Sequence, residues 1–157
     1  MFHQSRVEPA KGVRTMFETI LVAVDGSGHA SKAVRCAADM AKTYGATLVM
    51  LAVDGHRPLK GPLAELAHSE DISRSEVFER ILSSAQILAE VPGDVKIEQR
   101  IGSGDPADEI LAEAGRVGAD LIVVGSRGLG EYAELLLGSV SRKVLHIAKV
   151  PVMVVHA

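Results

Sequence analysis

Apolar residues along this chain follow two periods that take turns. Thr19-Ile-Leu-Val-Ala-Val24, Thr47-Leu-Val-Met-Leu-Ala-Val53, Leu121-Ile-Val-Val124 and Val150-Pro-Val-Met-Val-Val155 are almost continuously apolar. That is the pattern of strands covered on both faces. Val95-Lys-Ile-Glu-Gln-Arg-Ile101 alternates apolar with polar residues and predicts a strand with one exposed face. Between the strands the period lengthens. Ala33, Cys36, Ala37, Met40 and Ala41 share one face of a helix running from about His29 to Tyr44, and Gly45 stands where a left-handed residue closes such a helix. Val77, Ile81, Ala85 and Leu88 form the inward face of a second helix, Arg74 to Ala89. Asp105-Pro106 supplies a side-chain cap and a first-turn proline for a third, reaching about Val117. A fourth spans about Ser139 to Ala148. Asp54 to Ser73, with Gly55, Pro58, Gly61 and Pro62, reads mostly as loop.

Strands alternating with helices build βαβ units. The predicted fold is α/β: a doubly wound, Rossmann-like, five-stranded parallel sheet with helices on both faces. Ligands in such sheets bind outside the carboxyl ends of the strands. The unusual residues of this chain gather there. Asp25-Gly26-Ser27-Gly28 follows the first strand, Val53-Asp54 ends the second, and Gly102-Ser103-Gly104 follows the third. After the fourth comes Gly125-Ser-Arg-Gly-Leu-Gly-Glu-Tyr-Ala-Glu-Leu-Leu-Leu-Gly-Ser139, which reads Gly, two residues, Gly, nine residues, Gly-Ser. Most βα loops have only about 2–6 residues. Glycines let the backbone approach an anion, and the N-terminus of the following helix offers unpaired N–H groups at a positive dipole end. Ser139 stands where a helix cap or a phosphate-contacting hydroxyl would sit. Leu135-Leu136-Leu137 reads as packing that anchors the loop.

Composition narrows the classes. At 157 residues, 47% of them hydrophobic, the chain can form one domain with a sizeable core. The balance of 17 basic against 20 acidic residues offers no global charge for nucleic acid or a membrane surface. The apolar runs are too short to span a bilayer. A single cysteine, Cys36, excludes an internal disulfide framework and fits a reducing compartment, so a cytoplasmic location is expected. His3, His29, His56, His68, His146 and His156 show no ligand spacing, and no metal site is expected. The first fifteen residues lack the apolar core of a secretory signal. The expected organisation is a disordered extension, residues 1–15, followed by one domain, residues 16–157.

Ile20-Leu-Val-Ala-Val-Asp-Gly-Ser27, Gly104-Asp-Pro106, Ala119-Asp-Leu-Ile-Val-Val-Gly-Ser-Arg-Gly128, Gly138-Ser139 and Pro151-Val-Met-Val-Val155 occur in that order. In this set the chain resembles a universal stress protein domain, from about Met16 to Val155. The resemblance implies a sheet of order 3-2-1-4-5 and a homodimer through the fifth strand. It groups the chain with members that keep the Gly-x2-Gly-x9-Gly-(Ser/Thr) loop and bind ATP, with ADP or AMP as related ligands and Mg²⁺ accompanying the phosphates. It implies that Asp25, with Ala23 and Val24 beside it, lies by the adenosine, and that Val53 lines the adenine pocket. Gly125, Gly128, Gly138, Ser139 and Val140 would wrap the ribose and phosphates, with Val124 and Arg127 beside them and Ser141 adding a hydroxyl.

Taken by themselves, two of these residues have two readings. Asp25 can cap the turn into the first helix, or accept hydrogen bonds from a ribose hydroxyl or an adenine amino group. Arg127 can clamp phosphate, or be a solvated loop charge. Three functions follow: an ATP-binding regulatory or sensor module in a stress response, a slow ATPase or phosphotransferase, and a nucleotide-independent dimerisation module. No Gly-x4-Gly-Lys-(Ser/Thr) loop is present, and no base is evident at a γ-phosphate, which weighs against an enzyme. The intact glycine loop weighs against the third. A response-regulator receiver needs an aspartate after the third strand, where Ile101 is followed by Gly102-Ser103. A flavin site usually stacks on aromatic residues, which are 3% of this chain.

Overall fold

The computed structural model describes residues 15–59, 62–129 and 136–156. Five parallel strands form one sheet: β1 (Thr19–Ala23), β2 (Thr47–Asp54), β3 (Ile97–Ser103), β4 (Leu121–Gly125) and β5 (Val152–Val155). Their order is β3-β2-β1-β4-β5, as expected for a doubly wound sheet. The helices are α1 (Gly28–Tyr44), α2 (Pro62–Ser69), α3 (Arg74–Leu88), α4 (Pro106–Val117) and α5 (Ser139–Ile147).

Successive strand residues point to opposite faces, and each face has its own helices. Ile20, Val22 and Met50 pack with Ala33, Val34 and Ala37 of α1 and Val77, Ile81 and Leu82 of α3. Leu21, Val49, Leu51 and Ile122 pack with Ala107, Ile110 and Ala114 of α4 and Val144 of α5. This two-sided burial is why β1, β2 and β4 read as continuous apolar runs. Helix ends follow their local signals. Ser27 Oγ accepts from Ala30 N (3.1 Å), and Gly45 closes α1 at φ 69°. Ser73 and Glu76 form a capping box on α3, and the Asp105 carboxylate caps α4 ahead of Pro106. At the other end of the sheet, Asp120 Oδ2 accepts from the backbone N–H of Glu18 (2.8 Å) and Thr19 (3.0 Å), fastening the start of β1 to β4.

Several elements differ from expectation. The stretch read as loop contains α2, opened by Pro62, because proline that breaks a helix interior is well suited to a first turn. Leu63 and Ala67 of α2 pack against the α1–α3 core. Leu88 is not inward but 69% exposed. The inward stripe of α3 runs Val77, Ile81, Ala85 and on to Ala89, which is 3% exposed. β3 begins at Ile97 rather than Val95, because pairing starts only where β2 offers a partner, Leu48 opposite Ile97. Val95 is instead buried in the preceding turn, its N–H bonded to Pro92 O (3.0 Å). β5 begins at Val152, and Cys36 is only half-buried. The expected extension over residues 1–14 and the loop residues 130–135 lie outside the described residues. Among the described residues, no helix is long and apolar enough to cross a membrane.

One glycine is set by packing alone. A Cβ on Gly125 would stand 2.9 Å from both C and Cβ of His29 and 3.1 Å from Ala30 N, so the end of β4 touches the backbone of α1. Gly125→Ala is expected to push the two elements apart, costing about 1–3 kcal/mol and several degrees of Tm. Gly115, inside α4 with nothing within 4 Å of an added Cβ, is the control. Gly115→Ala is expected to stabilise by about 0.4–1 kcal/mol. Paired thermal unfolding curves check both, and an unchanged Tm in Gly125→Ala would refute the contact.

Candidate functional site

A cavity of about 250 Å³ opens at the carboxyl ends of β1, β2 and β4, between the starts of α4 and α5. It lies where the strand order reverses, between β1 and β4. Ala23, Val24 and Asp25 come from the end of β1, Val53 from β2, Val124 and Gly125 from β4, and Arg127 and Gly128 from the loop. Gly138, Ser139, Val140 and Ser141 come from the start of α5. Every site residue named from the sequence therefore lines one cavity. Leu51, Arg57, Pro106, Ile110, Ala30 and Leu129 line it too, and the sequence did not single them out. Pro106 and Ile110 could have been found from the Asp105 cap, since a helix that follows β3 begins at the same end of the sheet. Arg57 had no local signal.

Both readings of Asp25 meet in its geometry. Oδ1 accepts from Ser27 N (2.9 Å), the turn-capping role, and Oδ2 accepts from Leu129 N (3.0 Å), 104 residues away in the glycine loop. A Cβ on Gly128 would fall 2.5 Å from Oδ2. A side chain at 128 would displace this carboxylate, which borders the cavity.

Ser126, fully buried, is the hub behind the loop. Its N–H donates to Val155 O (2.8 Å), its carbonyl accepts from Gly138 N (2.7 Å) and Ser141 Oγ (3.0 Å), and its Oγ lies 2.9 Å from His29 Nδ1. The two ends of the glycine loop are thereby held together. Burial, then the nearby side chains of Arg127, His156 and Lys32, lower the His29 pKa below the ordinary imidazole value. Gly138, not Ser139, is the N-cap of α5, and it caps with no side chain. Ser139 is the first helical residue. The Ser141 hydroxyl donates to the carbonyls of Ser126 or Gly138 (3.1 Å), so it steadies the loop and faces the cavity with lone pairs only. First-turn N–H groups have no acceptor within their own helix, and the first turn of α5 lies at this wall. Lys143 of α5 pairs with Asp105 (3.1 Å) and Asp108 (2.8 Å), clamping the starts of α4 and α5 together.

The opposite wall is built by the turn after β2. Arg74 donates from Nε to Asp54 Oδ2 (2.6 Å) and from Nη2 to Asp54 Oδ1 (2.5 Å) and to Arg57 O (2.7 Å). The guanidinium holds the Asp54 carboxyl down to about 2, well below its usual range, so it stays ionised near neutral pH. Among the described residues, no cluster of His, Cys, Asp or Glu could hold a metal ion.

The family model described as the universal stress protein family matches residues 16–156. A universal stress protein of Thermus aquaticus is 40% identical over 141 residues, covering 89% of this chain and 99% of that protein. The universal stress protein YxiE of Bacillus subtilis is 40% identical over 148 residues, with the same coverage. A solved universal stress protein in complex with cAMP superposes with a TM-score of 0.66 at 31% identity, covering 89% of this chain and 97% of that one. With a doubly wound sheet of matching order, a cavity at its switch point and a family match over nearly all described residues, the chain belongs to the universal stress protein family.

Proposed function

We propose that this protein is a regulatory or sensor module of a stress response that binds ATP at the cavity between β1 and β4 and works as a homodimer through β5. The observation that carries the binding reading is the cavity's two chemically different ends. Leu51, Val53, Pro106 and Ile110 make an apolar end suited to a base, and Gly128, Gly138, Ser139 and the first turn of α5 make an end suited to phosphate. A solved relative at 31% identity holds cAMP, which supports an adenine nucleotide as the ligand class. The full Gly-x2-Gly-x9-Gly-Ser spacing supports ATP within that class. Mg²⁺ would arrive on the phosphates, because the described residues offer no carboxylate cluster to hold it. Occupancy would bias the loop and, through Ser126 and Val155, the edge strand beside it.

ATP is expected to stabilise the fold and GTP much less. At 100 times Kd the gain is about 2.7 kcal/mol, roughly 5–10 °C in Tm. Gly138→Val should abolish the shift and leave the circular dichroism spectrum intact, since Gly138 lines the cavity and has an ordinary φ of −70° that valine can adopt. Thermal scans with millimolar Mg-ATP check this. No shift in the unmodified protein, or an undiminished one in the folded variant, would sink the reading.

Turnover is expected to be slow, on the order of 10⁻² s⁻¹ or less against a typical ~10 s⁻¹. Asp25 is the single carboxylate among the described lining residues, and both its oxygens already accept backbone N–H groups. No lysine stands between Gly125 and Ser139. Steady phosphate release in the ordinary enzyme range, lost on mutating Arg127, would favour the enzyme instead.

The homodimer rests on an asymmetry between the sheet's edges. β3 carries the Arg100–Glu98 ion pair (2.8 Å), whereas Val152, Met153, Val154 and Val155 of β5 are uncharged and half-buried. An uncharged apolar edge is a template for another strand, and two copies about a two-fold axis would cover both edges. Replacing Val152 and Val154 with lysine should give monomers or insoluble protein. Light scattering that finds the unmodified protein monomeric at tens of micromolar, with and without ATP, would overturn the dimer.

A further inference from the structure

We propose that Arg57 is a base-contacting residue of the cavity, stacking on the face of a bound adenine, and that Arg74 is the positioning residue that holds it there. The proposal rests on the nucleotide reading above and adds two residues to it. Arg57 lines the cavity from the turn after β2, four residues beyond Val53 and on the side of Pro106, the end suited to a base. No aromatic side chain stands among the described lining residues, and the described walls around the base are aliphatic. A guanidinium is planar, delocalised and weakly hydrated, and it stacks on aromatic faces where an ammonium is only a point charge. The other lining cation, Arg127, belongs to the glycine loop at the phosphate end.

The turn that carries Arg57 is held far more firmly than a surface connection requires. Asp54 Oδ1 accepts from His56 N (2.8 Å) and Asp54 O accepts from Gly104 N (2.9 Å). His56 Nε2 lies 2.7 Å from Ser103 Oγ. His56 itself sits at φ 55°, a left-handed conformation that a non-glycine residue holds only when its surroundings impose it. Arg74 closes the arrangement. It is bidentate on Asp54, bonded to the Arg57 carbonyl, and placed with its Cζ 5.9 Å from the centre of the Phe78 ring. Arg74 does not line the cavity; its bond to the Arg57 carbonyl is its direct link to that lining residue.

The test is calorimetric titration of the full chain with ATP and, separately, with adenosine. Arg57→Ala is expected to weaken both by the same factor, roughly tenfold. Arg57→Lys keeps the charge but loses the plane, and should remain weakened toward both. Arg74→Ala should weaken both in the same ratio, and the Arg57→Ala/Arg74→Ala pair should bind no worse than Arg57→Ala alone, because the second residue acts through the first. Should Arg74→Ala fail to fold by circular dichroism, the exposed Arg57 variants still decide the base contact, and Asp54→Asn replaces it in the cycle. A loss confined to ATP would make Arg57 a phosphate clamp and overturn the proposal, as would full recovery in Arg57→Lys or unchanged affinity in Arg57→Ala. Additive losses in the double variant would remove the positioning role of Arg74. An unmodified protein that binds neither compound overturns the nucleotide reading and this proposal together, whereas binding lost in Gly138→Val but kept in Arg57→Ala overturns this proposal alone.

Discussion

The contact on which the site depends is the approach of β4 to α1 at Gly125, with Ser126 buried behind it. Two backbones meet there with no room for a methyl group. That proximity lets one serine at the end of β4 reach three other elements: the end of β5, the start of α5 and the N-terminal turn of α1. A buried polar residue is costly unless its groups are paired, and here the pairing itself sets the geometry. Both ends of the glycine loop are pinned to the same residue, so the start of α5 is fixed against the end of β4.

Asp25 extends the same logic across the cavity. Its carboxylate is committed twice to backbone N–H groups, once to its own turn and once to the loop. A group held in this way is suited to recognise a ligand by position and poorly suited to shuttle protons. The opposite wall follows a parallel design, with Asp54 as the organising carboxylate and Arg74 as the cation that keeps it ionised. Each wall thus has a carboxylate whose fixed hydrogen bonds hold a neighbouring turn. Between them lies the apolar surface of Leu51, Val53 and Ile110, continuous with the α4 side of the core. Wall and core share residues, so displacement of the walls disturbs packing.

Much of this was legible in the sequence because the forces involved are local or periodic. Continuous apolar runs declared β1, β2 and β4 as strands buried on both faces. Gly45 and Asp105-Pro106 announced helix ends through short-range capping, and the glycine spacing located the loop. Where the signal was ambiguous, the reading failed in physically ordinary ways. Pro62 reads as a loop breaker but opens α2, and Leu88 reads as inward although the drift of a helix places Ala89 on the buried stripe.

The sequence by itself determined the strands, the fold class, and the residues that gather at the strand ends, because burial on two faces and the turn chemistry of glycine are written into neighbouring positions. Only the tertiary structure decided which residues hold the site in shape. Ser126 becomes a hub because β4, β5, α1 and α5 converge on it. Gly125 is glycine because α1 lies against it, and Gly128 lies against Asp25. Arg57 reaches the cavity wall in a turn held by Arg74, a residue 17 positions away. Such roles arise from contacts between distant segments, and no local period or spacing records them.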